Sequence, residues 1–166
     1  MCTKAASRGE KVVSTLRMAK SVCEQLRENA EQCYPNECCG VLLGRPAAEG
    51  WLVYSAVPAR NADPAAGRRY RIDPLELVRI QRDAARQGLE IAGFYHSHPD
   101  HPAQWSPSDL AEAHWLGCSY VITAVAGGQA VHSNAFLLAG SREEDKCFEP
   151  QTIVVEEFVQ ESGFPA

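Results

Sequence analysis

Residues 94–110 read FYHSHPDHPAQWSPSDL, and this stretch places two histidines and an aspartate where a strand ends and a helix begins. Side chains two residues apart on a strand point to the same side, so His96 and His98 can face one point. Asp109 falls in the first turn of the helix that a Ser-Pro pair begins. The loop between them is long enough to bring this carboxylate back to both imidazoles.

Two imidazoles and one carboxylate are a typical ligand set for catalytic zinc, with the fourth position left for water. Iron and manganese accept the same donors, so the residues favour zinc without excluding the other two metals. Simpler interpretations remain open for each part. Ser106 and Asp109 can form only a helix cap, and the histidines can be a polar strand end. His101 also lies here, but three ligands complete the set, so we do not expect it to bind.

A metal-dependent hydrolase also needs a group that carries a proton, and Glu37 is the best candidate. It opens the apolar run ECCGVLL, residues 37–43, which predicts a strand whose first side chain can reach the end of a neighbouring strand. The alternative is an exposed glutamate at a strand end, and position alone favours that alternative.

Taken together, PNECCGVLLG (35–44) and residues 94–110 resemble the JAMM (MPN-plus) metalloprotease motif. That motif is a glutamate, then His-x-His, ten residues and an aspartate, with a serine three residues before the aspartate. The resemblance spans roughly residues 12–140 and covers all five signature positions. It implies a β-sheet wrapped by helices, similar to cytidine-deaminase-like folds.

The resemblance implies a role for each of the five residues. His96, His98 and Asp109 correspond to the ligands of one zinc ion per chain. Glu37 corresponds to the general acid/base that moves protons between water and the leaving amine. Ser106 corresponds to the hydroxyl that stabilises the oxyanion.

Two neighbours of these residues depart from or add to the motif. Trp105 stands where relatives often carry a smaller residue or proline, and it either walls the leaving-group side of the pocket or packs as an ordinary aromatic. Cys39 shares a strand face with Glu37. Because three ligands and a water complete the site, we expect this cysteine not to bind zinc.

Hydrophobic periodicity predicts a single α+β domain over residues 1–166, with a mixed β-sheet flanked by helices. Apolar residues at steps of three and four predict a helix over 12–33 that Pro35 ends. A capping aspartate followed by proline predicts a helix from 73 to about 87, and the Ser-Pro pair begins another that ends near 117. Predicted strands cover 38–44, 51–59, 70–72, 89–95, 120–127, 130–140 and 151–159.

Composition limits the classes of function. A chain that is 45% apolar and 22% charged is neither disordered nor collagen-like, and no apolar run reaches the ~20 residues of a membrane span. Residues 141–166 hold seven acidic and two basic side chains, which accounts for the net charge of -5, and no basic patch indicates nucleic acid. No secretory segment is visible, so we expect a cytoplasmic protein. The seven cysteines form no Cys-x-x-Cys pair, and most are expected to be reduced.

The resemblance also implies a substrate: the peptide or isopeptide bond after the Gly-Gly tail of a ubiquitin-like protein. Segments 60–70 and 124–133 are too short for the insertions with which deubiquitinases grip ubiquitin. The compact chain therefore resembles bacterial peptidases that serve small ubiquitin-fold sulfur carrier proteins, either by trimming residues after Gly-Gly or by releasing an amino acid.

Three rival classes have different requirements. A deubiquitinase-like isopeptidase and a non-catalytic MPN scaffold are the alternatives, and the scaffold class lacks some of the five residues present here. A zinc deaminase needs His-x-Glu and a Pro-Cys-x-x-Cys pair, which this sequence does not have. The oligomeric state is not readable from the sequence, and a homodimer is one expectation.

Overall fold

Short runs rich in β-branched and aromatic residues form seven strands within residues 14–157, the part of the chain that this computed structural model describes. The strands are β1 Thr15–Ala19, β2 Cys39–Ala47, β3 Gly50–Ala59, β4 Glu90–Pro99, β5 Ser119–Ala126, β6 Gln129–Ala139 and β7 Cys147–Glu156. The helices are α1 Lys20–Cys33, α2 Pro74–Arg86 and α3 Pro107–Glu112, with one 3-10 turn at Glu143–Asp145.

The strands form one closed sheet in the order β1-β3-β2-β4-β5-β6-β7. β1 pairs in parallel with both β3 and β7, and so joins the two ends of the sheet. β4 and β5 are also parallel, whereas the other pairs are antiparallel. The predicted mixed sheet with helices is confirmed. The likeness to cytidine-deaminase-like folds and the extent of the domain over residues 1–166 stay predictions.

Apolar side chains lie on both faces of the sheet and form two buried clusters. α1 covers one face with Val22, Leu26 and Ala30. The second cluster contains Ala84 of α2 and Ala113, which directly follows α3. Alternate residues of β5 belong to the two clusters, which explains why this strand is apolar almost throughout: a strand covered on both faces has no side for polar residues.

α2 begins and ends as the sequence predicts. The side chain of Asp73 accepts hydrogen bonds from the N–H groups of Leu75 and Glu76, which caps the helix. After Arg86 the chain turns through Gly88, whose φ of +66° is the left-handed conformation that commonly ends a helix.

The predicted helix over 12–33 is wrong in its first part, because Thr15–Ala19 form β1 and α1 begins only after it. Leu16 and Met18 are buried while the residue between them is exposed. This alternation with a period of two is typical of a strand, but Leu16 also fits the apolar stripe of a helix. Their parallel partners β3 and β7 lie far along the chain, and this tertiary pairing overrides the local helical pattern. Val12 of the predicted stripe lies outside the described residues.

Two predicted strand boundaries also differ. β2 continues past Gly44 to Ala47, because that glycine allows close contact within the sheet: a Cβ there would lie 2.2 Å from the carbonyl oxygen of Leu52. The brief strand predicted at 70–72 is reduced to a single bridge between Ile72 and Asn61.

At the C-terminal end, α3 and β7 depart from their predicted bounds. α3 ends at Glu112 rather than near Gly117, because the Nζ of Lys146 donates to the carbonyls of Ala111 and Ala113 and replaces a further helical turn. β7 begins at Cys147, earlier than predicted. Positions 158 and 159 of the predicted strand lie outside the described residues.

Two expectations from composition can be compared with the described part of the chain. Six of its cysteines carry free thiols, as expected, and Cys2 lies outside it. Among residues 14–157, none of the helices is both long and apolar enough to cross a lipid bilayer.

Candidate metal centre

β4 brings the two histidines to one side of the sheet, since residues two apart on a strand share a face. The strand continues through both histidines to Pro99 instead of ending before them. His96 and His98 stand opposite Ile122 and Ala124 of β5, which belong to the second apolar cluster. Their side chains are therefore almost fully removed from solvent, with 2% and 8% of each residue exposed.

The N-terminus of α3 supplies the carboxylate. Ser106 is the N-cap residue, and its Oγ accepts the N–H of Asp109 at 3.1 Å. In return, Oδ2 of Asp109 accepts the N–H of Ser106 at 2.6 Å. This reciprocal capping box is the pattern that a serine followed three residues later by an acidic residue indicates. The helix-cap interpretation thus describes the local bonds correctly, yet the same carboxylate also reaches the histidines.

Three donor groups meet at one point. The Nε2 atoms of His96 and His98 are 3.1 Å apart, and oxygens of Asp109 lie 3.3 Å from the first and 3.4 Å from the second. A tetrahedral zinc ion with bonds of about 2.0–2.1 Å holds its ligands about 3.3–3.4 Å apart. These residues therefore fit a zinc ion in donor type and in spacing. They are the one such cluster of histidine, cysteine and acidic residues within residues 14–157.

A backbone carbonyl fixes the orientation of His98. Its Nδ1 lies 2.8 Å from the carbonyl oxygen of Pro102, and because that oxygen only accepts, Nδ1 carries the proton. The lone pair of the neutral ring is then on Nε2, which faces the other two donors. Burial lowers the pKa of His98, but contacts with Asp109 and the Pro102 carbonyl outweigh burial and raise it above its ordinary value.

The other two ligand candidates have protonation states that suit a metal. Burial lowers the pKa of His96 below its ordinary value, so the ring is neutral at pH 7. Burial acts to raise the pKa of Asp109, yet its contacts with His96 and His98 hold that pKa well below its usual range. A neutral imidazole and an ionised carboxylate are the forms in which both groups bind metal ions.

Glu37 lies two residues before β2 rather than within it. Its N–H donates to the carbonyl of Ala66 at 2.7 Å, and its carbonyl accepts from the side-chain amide of Asn61 at 3.2 Å. Only 6% of the residue is exposed, and Oε2 has no hydrogen-bond partner among the described residues. The structure therefore excludes the alternative interpretation, in which Glu37 is an exposed residue at a strand end.

The surroundings of Glu37 change its proton affinity. Burial raises the pKa of this carboxyl group to about 7, while His98 lowers it and Asp109 raises it. Both residues act on Glu37 because it lies beside the donor cluster. A carboxyl group with a pKa near neutrality can both accept and deliver a proton at pH 7.

The hydroxyl of Ser106 can act as a helix cap and as a donor at the same time. Its Oγ accepts from the N–H of Asp109 and also lies 3.0 Å from Oγ of Ser108. A hydroxyl has one donor and two acceptor sites. When Ser108 donates to it, the proton of Ser106 is left for an incoming oxygen atom.

Three neighbours do not belong to the donor cluster. Sγ of Cys39 contacts the carbonyl of Ala59 at 3.6 Å, and burial raises its pKa to about 12, so the thiol is protonated in the metal-free protein, and its exclusion from the ligand set stays a prediction. His101 is exposed on the loop after β4. The ring of Trp105 packs 5.7 Å from that of Phe148, in agreement with the packing interpretation, and its role as a pocket wall stays a prediction.

Sequence reasoning missed residues that surround the cluster. Tyr70 stacks on the ring of His96 with 4.5 Å between centroids, and the one signal for it is the order Tyr-x-Ile-Asp-Pro before α2. Asn61 has no comparable signal, although it bonds to the backbone of Glu37. Pro102 acts through its carbonyl group, which no side-chain pattern can reveal.

Comparison with known protein families agrees with this geometry. Residues 19–138 match a family described as prokaryotic homologs of the JAB domain. The matched region runs from the end of β1 into β6 and includes all five residues of the motif.

Individual proteins are similar over most of the chain. A probable TtuB-protein conjugate cleaving protease of Thermus thermophilus is 33% identical over 128 residues, which are 77% of this chain and 79% of the relative. A desampylase of Haloferax volcanii is 35% identical over 112 residues, 68% of this chain and 79% of the relative. The solution structure of a protein from Desulfitobacterium hafniense has a TM-score of 0.75 at 27% identity, covering 88% of this chain and 96% of that one. This chain therefore belongs to the family of prokaryotic homologues of the JAB domain.

Proposed function

We propose that this chain is a zinc-dependent metallopeptidase that cleaves the peptide or isopeptide bond after the C-terminal Gly-Gly of a small ubiquitin-like sulfur carrier protein. The observation that carries the proposal is the buried meeting of His96, His98 and Asp109 beside the buried carboxyl group of Glu37. Metal ligands and a proton carrier are what metal-assisted hydrolysis of an amide bond needs. A scaffold that only binds requires neither.

The names of the two relatives support the reaction class. The Thermus thermophilus protein is named as a protease that cleaves TtuB-protein conjugates, and the Haloferax volcanii protein is named a desampylase. For this chain the names support a peptidase whose substrates are conjugates of ubiquitin-like proteins. The compact segments 60–70 and 124–133 favour a small carrier over ubiquitin itself.

In the proposed reaction His96, His98 and Asp109 hold the metal and Glu37 moves the protons. A bound zinc ion supplies Lewis-acid chemistry, since it polarises a carbonyl group and lowers the pKa of water to about 7. Glu37 takes a proton from the attacking water and delivers it to the leaving nitrogen as the C–N bond breaks. In the metal-free protein burial raises the pKa of this carboxyl group to about 7, so the group already exchanges its proton near neutral pH.

In the proposed reaction the hydroxyl of Ser106 donates a hydrogen bond to the substrate oxygen on which negative charge develops. A donor that is already oriented toward such an oxygen contributes about 2.7–4 kcal/mol to the transition state. Because its Oγ also caps α3, the backbone of the helix holds the hydroxyl in position.

The depth of the centre favours a tail of glycines. The side chains of His96, His98 and Asp109 are only 2%, 10% and 13% exposed, so an extended and slender segment reaches the metal best. Glycine has no Cβ, and a Gly-Gly tail therefore makes the smallest steric demand on the carbonyl side of the bond.

The remaining parts of the proposal follow the sequence predictions. They are one zinc ion per chain, one domain over residues 1–166, a cytoplasmic location and a ubiquitin-fold carrier as partner, with neither nucleic acid nor membrane. A homodimer is also part of the proposal. Metal analysis of the purified protein distinguishes zinc from iron and manganese.

Incubation with a carrier whose Gly-Gly is followed by several residues tests the reaction. Mass spectrometry should show loss of all residues beyond Gly-Gly, and removal of the metal should abolish that loss. A carrier that differs only by Ala-Ala in place of Gly-Gly is the control and should stay intact. Equal cleavage of both carriers refutes the assigned specificity.

Two other outcomes favour the alternative functions. Rapid cleavage of ubiquitin chains with none of the carrier indicates a deubiquitinase-like isopeptidase. Metal binding without hydrolysis of either substrate indicates a non-catalytic MPN scaffold. A carrier extended by a single residue, compared with one extended by several, separates release of an amino acid from trimming.

A further inference from the structure

The two histidines of the metal centre are oriented by different means. Nδ1 of His98 donates to the carbonyl of Pro102, and this bond fixes its ring. Nδ1 of His96 is buried and, in the described part of the chain, has no hydrogen-bond partner. A ligating histidine ordinarily donates this N–H to an acceptor, which sets the plane of the ring. Another contact must therefore orient His96.

Tyr70 lies against the face of the His96 ring. The two rings are stacked, with centroids 4.5 Å apart and planes inclined by 24°. Rotation of an imidazole about its Cβ–Cγ bond has only broad preferences, so a flat neighbour in contact is what limits that rotation. Metal–ligand distances vary by only about 0.2 Å in well-formed sites, and a turned ring would displace Nε2 from its place.

Asn61 holds the backbone on both sides of Tyr70 in place. The side-chain amide of Asn61 donates to the carbonyls of Glu37 and Arg69 at 3.2 and 2.8 Å, and its Oδ1 accepts the N–H of Arg71 at 3.2 Å. These bonds secure the residues on both sides of Tyr70. The same asparagine therefore ties the stacked ring to the backbone of the proposed proton carrier.

We infer that Tyr70 is a positioning residue for the metal centre: its ring keeps the imidazole of His96 in the plane in which Nε2 meets the metal. This inference rests on the metal site of the proposed function. The aromatic ring acts, not the hydroxyl, because the contact with His96 is a stack. Metal binding draws electron density from the imidazole, which strengthens its attraction to the electron-rich face of a tyrosine.

Zinc affinity, measured by competition with a chromophoric chelator, tests this role in Tyr70→Met and Tyr70→Phe. Methionine fills a similar volume without a ring, and we expect zinc affinity to fall about tenfold or more. Phenylalanine keeps the stack and should stay within about twofold of the wild type. Tyr54→Met is the matched control, since Tyr54 stands under Arg45 on β3, far along the sheet from His96, and this variant should bind zinc normally.

Cobalt(II) bound in place of zinc reports the coordination geometry of the metal centre. If Tyr70 only stabilised the fold, its substitution would leave this geometry unchanged. The visible absorption bands of the cobalt protein should shift and change in intensity in Tyr70→Met. They should keep their wild-type form in Tyr70→Phe and in Tyr54→Met.

Several results overturn the inference. One is a folded Tyr70→Met protein with wild-type zinc affinity and cobalt spectrum, and another is an equally large loss in Tyr70→Phe. If Tyr70→Met does not fold, nuclear Overhauser effects between the Tyr70 and His96 rings in the zinc-loaded wild type decide, and their absence overturns it. A wild-type protein that binds neither zinc nor cobalt contradicts the proposed function and, with it, this inference.

Discussion

At the scale of single residues, Glu37 combines a chemical role with a cost in stability. Burial raises its pKa from 4.5 to about 7, and its Oε2 has no hydrogen-bond partner in the described part of the chain. The folded protein therefore binds more protons than the unfolded chain between these two pH values. Stability must fall as pH rises through that window, and the full cost is present above about pH 7.

In metal-free protein, Glu37→Gln should raise the free energy of unfolding by about 1–3 kcal/mol at pH 8, because it removes a buried charge. At pH 4, where the carboxyl group is protonated, the change should be small. Urea unfolding in the presence of a chelator measures both values, with Glu28→Gln on the exposed side of α1 as the control. The same variant should keep its zinc and lose turnover by at least ~10². Equal stability of variant and wild type at pH 8 would contradict this account.

Ser106 has two proposed roles that one substitution can separate. Ser106→Ala removes the cap of α3 and should lower the free energy of unfolding by about 1 kcal/mol. If its proton also serves the developing oxyanion, turnover should fall by about 10²–10³ with zinc content unchanged. Asp73→Ala is the control, because it removes the cap of α2 and should lower stability by a similar amount with normal turnover. Lower stability with normal turnover in Ser106→Ala would show that this residue acts only as a helix cap.

At the scale of elements, the centre depends on how closely β4 approaches its neighbours. A Cβ on Gly93 of β4 would lie 1.8 Å from the carbonyl oxygen of Ser119 in β5, and one on Gly40 of β2 would lie 2.4 Å from the ring of Tyr95. Glycine at these positions lets the strand that carries both histidines pack between its partners.

Gly93→Ala should therefore destabilise the protein by at least about 1–3 kcal/mol, since β4 and β5 must separate to admit a methyl group. Gly67→Ala is the matched control, because the nearest atoms to a Cβ there are 3.9 Å away. Thermal and urea unfolding of the two variants measure the difference. A similar stability in both would show that β4 adapts without strain.

At the scale of the whole molecule, a bound metal joins β4 to α3 and should stabilise the closed sheet by mass action. Zinc at about 100 times its dissociation constant adds about 2.7 kcal/mol, which corresponds to a rise in Tm of about 5–10 °C for a chain of this size. Calorimetry with and without a chelator measures this rise. It should disappear in His98→Ala and Asp109→Asn and persist in Cys39→Ser. Loss of the rise in Cys39→Ser would mean that this cysteine is a ligand.

The sequence by itself determined the parts of this protein that depend on near neighbours. Strand alternation aligns His96 with His98, and the hydrogen bonds of the capping box orient Asp109. Both are local features, since all three residues lie within one short stretch. The cap and the length of α2 are predictable for the same reason.

Only the tertiary structure decided the contacts between distant segments. β1 was hidden in a helical pattern because its partners β3 and β7 lie far along the chain. The pairing of β2 with β4 sets Cys39 opposite His96, which brings the segment of Glu37 to the centre and buries it. The stack of Tyr70 on His96 arises in the same way. Local pattern records the interactions of a residue with its sequence neighbours, whereas burial and pKa depend on groups that only folding brings together.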